Sequence, residues 1–239
     1  MEEMAPAAYC PAKDDDMPMT DAMRRDYEEK FASLIVKETR KNEVERIITR
    51  ALKNRGVYDE ISRVTTVPFF VVAVIHNMEC GDRPDETFFK CHLYNGDPLT
   101  ARTVHAPEGR PLQPPASGKF PYTFVESAVD ALRYQGFDAW RDWSIGGTLN
   151  RLEIYNGMGY RSRSVNTPYL WSGCQFYTRG KFIELRGADK KYHVVYRPDL
   201  VSDQVGAAVI LRRMLDQAVI EFPPAPAIAG PKKCTGVTN

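Results

Sequence analysis

From Thr20 onward, apolar residues recur at helical spacing. Met23, Tyr27, Phe31, Leu34 and Ile35 fall on one face, and Thr20 is placed to cap the helix. A second stretch sets Val44, Ile47, Ile48 and Ala51 on one face and is expected to end near Gly56. The charged remainder of both stretches reads as solvated surface, and a short helix is expected over residues 58–64. Residues 67–80 are the most apolar segment. Their β-branched residues favour a strand, but Pro68 suits a first helical turn, Gly81 suits a stop and the length fits. Apolar side chains on every side predict a buried helix.

Residues 81–122 are rich in Gly, Pro and Asp, with a strand expected over 88–93 and a turn at Asn95-Gly96. Thr123-Phe124-Val125-Glu126 is a capping box that opens a helix to about residue 135. A further helix is expected over 144–155, loop-rich aromatic chain over 157–187, and a last helix over 199–218 carrying Val201, Val205, Ala208, Val209 and Leu215. No internal repeat is present. The pattern divides the chain into a disordered leader (1–20, with Pro6, Pro11, Pro18 and Asp14-Asp15-Asp16), a folded domain (21–222) and a Pro/Ala-rich tail (223–239). The fold class expected is mainly α (α+β), with one small hairpin.

Composition narrows the functions. The chain has 239 residues, 43 % hydrophobic and 26 % charged, with formal charge +1. That balance gives no basis for nucleic-acid binding. The 11 % aromatic content fits a good core or a sugar-binding cleft. The longest apolar run, 67–75, is too short to span a bilayer, so no membrane insertion is expected. The N-terminus lacks the apolar region of a Sec signal, so synthesis in the cytoplasm is expected. Cys10, Cys80, Cys91, Cys174 and Cys234 are odd in number and widely spaced, and are read as reduced thiols.

Glu79 is the leading candidate for chemistry. A carboxyl at the end of a buried apolar segment is desolvated, which raises its pKa and keeps it protonated near neutral pH. That suits an acid which protonates a leaving glycosidic oxygen; the plainer alternative is a surface Glu paired with Arg83. A metal grouping of His76, Glu79, His92 and His105 competes with the plainer reading of a hydrogen-bonded core histidine. No HExxH is present and Cys80 is expected to face elsewhere, so neither metal nor cofactor is expected.

The segment Val67-Pro-Phe-Phe-Val-Val-Ala-Val-Ile-His-Asn-Met-Glu79 resembles the catalytic helix of goose-type lysozymes and soluble lytic transglycosylases. Leu152-Glu-Ile-Tyr-Asn-Gly-Met-Gly159 is similar to the motif that closes the transglycosylase cleft. Five further segments in order resemble bacterial and phage proteins of the lysozyme family: residues 92–103, 109–111, 126–132, 156–161 and 168–172. The likeness covers 66 to about 216. It implies a lysozyme-like helical domain with a hairpin beside the cleft, and a muramidase cutting the N-acetylmuramic acid–N-acetylglucosamine β-1,4 bond of peptidoglycan strands.

On that resemblance Glu79 is the acid. Asp97 with Thr100 or Thr103 would position water, and Tyr155 and Asn156 would hold the N-acetyl sugar. Tyr94, Tyr160, Tyr169 and Trp171 are sugar-stacking candidates, and Arg102, Arg110 and Arg161 candidates for peptide carboxylates. Cys80 stands where transglycosylases usually have Ser, and their glycine-rich motif has no counterpart, so hydrolysis and transglycosylation both stay open. An inactive peptidoglycan-binding module and a zinc peptidase are the rival readings. A monomer is expected, delivered to the wall as a phage endolysin, a virion lysozyme or a secreted effector.

Overall fold

The computed structural model describes residues 19–81, 83–186 and 192–226. The expected leader and tail therefore lie, except for 19–20 and 223–226, outside the described residues. Helix α1 (Asp21–Ala32) begins under a Thr20 cap that accepts the Met23 amide at 3.1 Å. Helices α2 (Lys41–Lys53) and α3 (Arg55–Thr65) break at Asn54, whose side chain donates to the Arg50 carbonyl at 2.8 Å. Gly56 is thus not a stop; it sits in the first turn of α3.

Then come α4 (Phe69–Cys80), α5 (Asp85–Phe88) and α6 (Phe124–Tyr134), the last opened by the Thr123–Glu126 capping box. Helix α7 (Ile145–Asn156) is capped by Ser144, α8 (Pro168–Trp171) by Thr167, and α9 (Ala207–Asp216) closes the set. Helix α4 is the core element. Every residue from Phe70 to Cys80 is buried, and α2, α3 and α9 pack around it. A helix satisfies its own backbone, so it can be apolar on all sides. A central strand of the same sequence would need neighbouring strands, and tertiary packing here overrides the β-branched preference. Among the described residues no single helix is long and apolar enough to cross a membrane.

Two expectations need correction. Residues 88–93 are not a strand, and the Asn95-Gly96 segment holds only an isolated bridge, Cys91 to Pro98. The Phe88 carbonyl, which a ladder would need, is taken by His76 Nε2 at 2.9 Å. The hairpin lies downstream instead, as β1 (Lys181–Arg186) antiparallel to β2 (Tyr192–Arg197), with Phe182 opposite Tyr196. It is fastened by the Phe182 amide donating to the Tyr160 hydroxyl at 3.0 Å. The last helix also starts later than expected, at Ala207. The Gly206 amide donates to the Ser172 carbonyl at 2.8 Å, and a Cβ at Gly206 would come within 2.3 Å of the Leu170 carbonyl. The chain is pressed flat against α8 there and cannot yet coil.

Helix α1 is anchored on α7 by polar contacts. The Tyr27 hydroxyl donates to buried Glu153 at 2.6 Å, and Arg161 reaches the same oxygen at 2.9 Å. Arg24 pairs with Asp142 at 2.6 Å. At the far end Phe222 sets its ring against Phe31 and Phe70.

Candidate active site

Glu79 ends the apolar helix and is only 8 % exposed. Burial pushes its carboxyl up to about 8, with a hydrogen bond to Tyr155 pulling weakly the other way. The Tyr155 hydroxyl donates to the Leu93 carbonyl at 3.1 Å, which ties α7 to the chain after α5. Tyr169 lies beside both, its ring centroid 6.1 Å from that of Tyr155. Its buried hydroxyl has no hydrogen-bond partner. A buried orphan hydroxyl is costly, and here it stands next to a neutral acid. Gly96 closes on the backbone of Glu79: with φ at +76°, a Cβ there would lie 2.8 Å from the Glu79 carbonyl. Only glycine fits that approach.

Glu79, Tyr155 and Tyr169 therefore converge. Asn156, the residue after Tyr155, is half-buried and donates to the Thr167 hydroxyl at 3.4 Å. The other expected residues are engaged elsewhere. Asp97 accepts the Val104 and His105 amides at 2.8 and 3.0 Å on one oxygen and the His105 ring at 2.6 Å on the other. Burial opposes its ionisation, but these bonds outweigh it and hold the carboxyl below its ordinary value. That is a loop clamp, with little capacity left for water. Thr103 accepts the Arg110 amide and donates to the Pro107 carbonyl inside the same loop, and Thr100 is exposed. Asp97→Ala is expected to lower stability by about 1–3 kcal/mol, because it leaves the three part-buried donors from Val104 and His105 without their acceptor. Thr100→Ala should leave the thermal unfolding midpoint unchanged.

The stacking candidates are likewise interior. Tyr94 is 1 % exposed, its hydroxyl bonded to Asp130 and Arg110. Trp171 is 2 % exposed and packs on Phe176. Tyr160 receives the hairpin. Arg110 pairs with Asp130 at 2.9 Å, Arg161 with Glu153, and Arg102 donates to the Leu112 carbonyl at 2.7 Å. A cavity of about 200 Å³ lies between α1 and the chain around α8, with Lys30, Arg161, Asn166 and Trp171 in its wall. It does not include Glu79; α8 connects the two, carrying Trp171 in that wall and Tyr169 beside the acid.

The histidines do not gather round Glu79. His92 bonds Ser127 at 2.7 Å and the Ala101 carbonyl at 2.8 Å, and His105 bonds Asp97. His76 accepts from the Tyr58 hydroxyl at Nδ1, 3.0 Å, and donates from Nε2 to Phe88. Burial pushes it down to about 3, so it is neutral. Cys80 does not face away from it. Cys80 and Cys91 are joined in a disulfide, and their sulfurs lie within 4.8 Å of the His76 ring. The reading of all five cysteines as reduced thiols therefore fails for this pair, whereas Cys174 is free and buried. No CxxC spacing marked the pair. Helical spacing did offer a sign, since Cys80 follows His76 by four residues and so shares its face.

Comparison with models of known protein families, with curated proteins and with solved structures finds no match in any of the three.

Proposed function

We propose that this chain is a peptidoglycan-degrading muramidase of the lysozyme-like superfamily, with Glu79 as its general acid. The observation that carries this reading is a carboxyl at the end of a fully buried helix, held neutral to about pH 8 and flanked by the Tyr155 and Tyr169 hydroxyls. A neutral buried acid can protonate the oxygen between N-acetylmuramic acid and N-acetylglucosamine as the bond breaks through an oxocarbenium-like state. Glu79, now ionised in a dry setting, can then take a proton from the attacking hydroxyl.

Two nucleophiles fit, water or the muramyl 6-hydroxyl. Commitment of both Asp97 oxygens to its own loop favours the second, with Glu79 as the acting carboxyl among the described residues and anhydromuramyl ends as product. Mass spectrometry of purified sacculi after digestion tests both levels. Soluble muropeptides with anhydro ends are expected; reducing ends would return the reaction to hydrolysis, and absence of released glycan would leave an inactive binding module.

The pH dependence follows from the raised pKa. The folded chain holds the Glu79 proton more tightly than the unfolded one, whose value is near 4.5. Stability from the neutral carboxyl is therefore complete below that value and lost as pH rises through about 8. In urea unfolding, Glu79→Gln should gain on the parent by at least about 1.4 kcal/mol over that window, the equivalent of one pKa unit. The lysis rate of the parent should fall about tenfold per pH unit above the same value.

A further inference from the structure

The cluster beneath Glu79 is not used by the proposed reaction. Cys80 Sγ, Cys91 Sγ and His76 are buried together at the end of α4, all donor atoms within 4.8 Å of one another. The Phe88 carbonyl oxygen completes the group, 2.9 Å from His76 Nε2 and 3.2 Å from Cys91 Sγ. We propose that on reduction of the Cys80–Cys91 disulfide these four atoms bind one Zn²⁺ ion.

The donor set points to zinc. Two thiolates, an imidazole and a carbonyl approximate the four-coordinate environment that Zn²⁺ takes, and tetrahedral Zn–S bonds place two sulfurs about 3.8 Å apart. Reduced sulfurs that no longer share a bond move to that separation unaided. Two thiolates and a dication sum to zero, which matters where His76 and Cys91 are 0 % exposed. A monovalent copper ion would leave the same pocket with a net charge. Mg²⁺ and Ca²⁺ need oxygen donors, and among the described residues no carboxylate joins the cluster.

The protons and electrons balance. A dithiol supplies two electrons and two protons, the S–S bond breaks, and the dithiol closes to its own disulfide. Zn²⁺ then displaces both thiol protons to solvent. His76 moves its proton from Nε2 to Nδ1, where the Tyr58 oxygen accepts it, and this frees Nε2 and the Phe88 carbonyl together. A partner on the second ring nitrogen is what orients a zinc-bound histidine, and Tyr58 is already in place at 3.0 Å. Disulfide and zinc are thus exclusive ways of making one tether, from the end of α4 to the chain that leads to Leu93. The first suits an oxidising compartment and the second a reducing one.

The test uses the full chain, reduced anaerobically with a phosphine and incubated with zinc chloride. Metal content is measured after desalting, and iodoacetamide labelling of Cys80 and Cys91 is followed by peptide mass spectrometry. About one zinc per reduced chain is expected, with little in the oxidised chain and slowed labelling of those two cysteines alone. Cobalt substitution should give a thiolate charge-transfer band, and Cys91→Ser, which removes a ligand outright, should weaken binding by no less than the roughly 10–100-fold that loss of an outer-shell partner costs. Equal zinc in both redox states, labelling unaffected by zinc, or retained affinity in Cys91→Ser would overturn the proposal. If that variant fails to fold, the redox comparison in the parent chain decides alone. None of these readouts needs wall-cleaving activity.

Discussion

Glu79→Gln is expected to lower the rate of peptidoglycan cleavage by about 10²–10⁴-fold, the range that general acid–base catalysis supplies. Glutamine keeps the shape of the side chain and can still meet the Tyr155 hydroxyl, but it has no acid proton to give. Its burial carries no charge, so the fold should survive; at pH above about 8 the variant should be the more stable of the two, as the raised pKa requires. The combination discriminates. A structural residue would lose stability and activity together, whereas an acid loses activity alone. Release of soluble muropeptides, read beside a thermal unfolding curve, is the measurement. A variant that cleaves at the parental rate with an unchanged unfolding curve would remove Glu79 from the mechanism.

Glu153→Ala is expected to cost about 2–4 kcal/mol of folding stability. The side chain of Glu153 is 4 % exposed and accepts from both Tyr27 and Arg161. Removing one partner of a buried pair leaves the others unsatisfied, and the uncompensated guanidinium is the larger part of the cost. Arg161 is itself partly exposed, which trims the figure. Its guanidinium also stacks over the Tyr27 ring, 4.9 Å from the centroid. The loss should therefore detach α1 from α7 and appear as a lower urea midpoint. If Arg161 instead served peptide carboxylates, Glu153→Ala would change substrate affinity and leave the midpoint in place. Tyr27→Phe, which removes only a hydroxyl, should cost less, about 0.5–1.5 kcal/mol.

Much of the helical framework was legible because its signals are local. Thr20 and the Thr123–Glu126 box cap their helices through side-chain bonds to amides three residues on, which spacing alone reveals. The apolar run ending at Glu79 declared a buried element and a desolvated acid in the same stretch of chain. Tyr155, too, stood in a recognisable segment, and the structure brings it to Glu79.

What the chain order could not convey was partner choice across distance. Asn95-Gly96 reads as a hairpin turn, yet His76 and Phe124 draw the neighbouring aromatic residues into a cluster and the ladder never forms. The true hairpin lies where the alternation of β1 is short and its docking residue, Tyr160, is 22 positions away from Phe182. Asp97 looked like a second carboxylate from its place after the helix; only the folded loop shows both oxygens already occupied. Cysteine pairing is of the same kind, since separation by 11 residues carries no signal until the loop closes and sets the two Cα atoms 6.7 Å apart. Spacing and hydrophobicity were enough to mark most of the helical segments and the burial of Glu79, though not that of Asp97 or Glu153. The tertiary structure alone decided which polar groups remain free to act, because each buried donor and acceptor takes whichever partner the packed chain brings within reach.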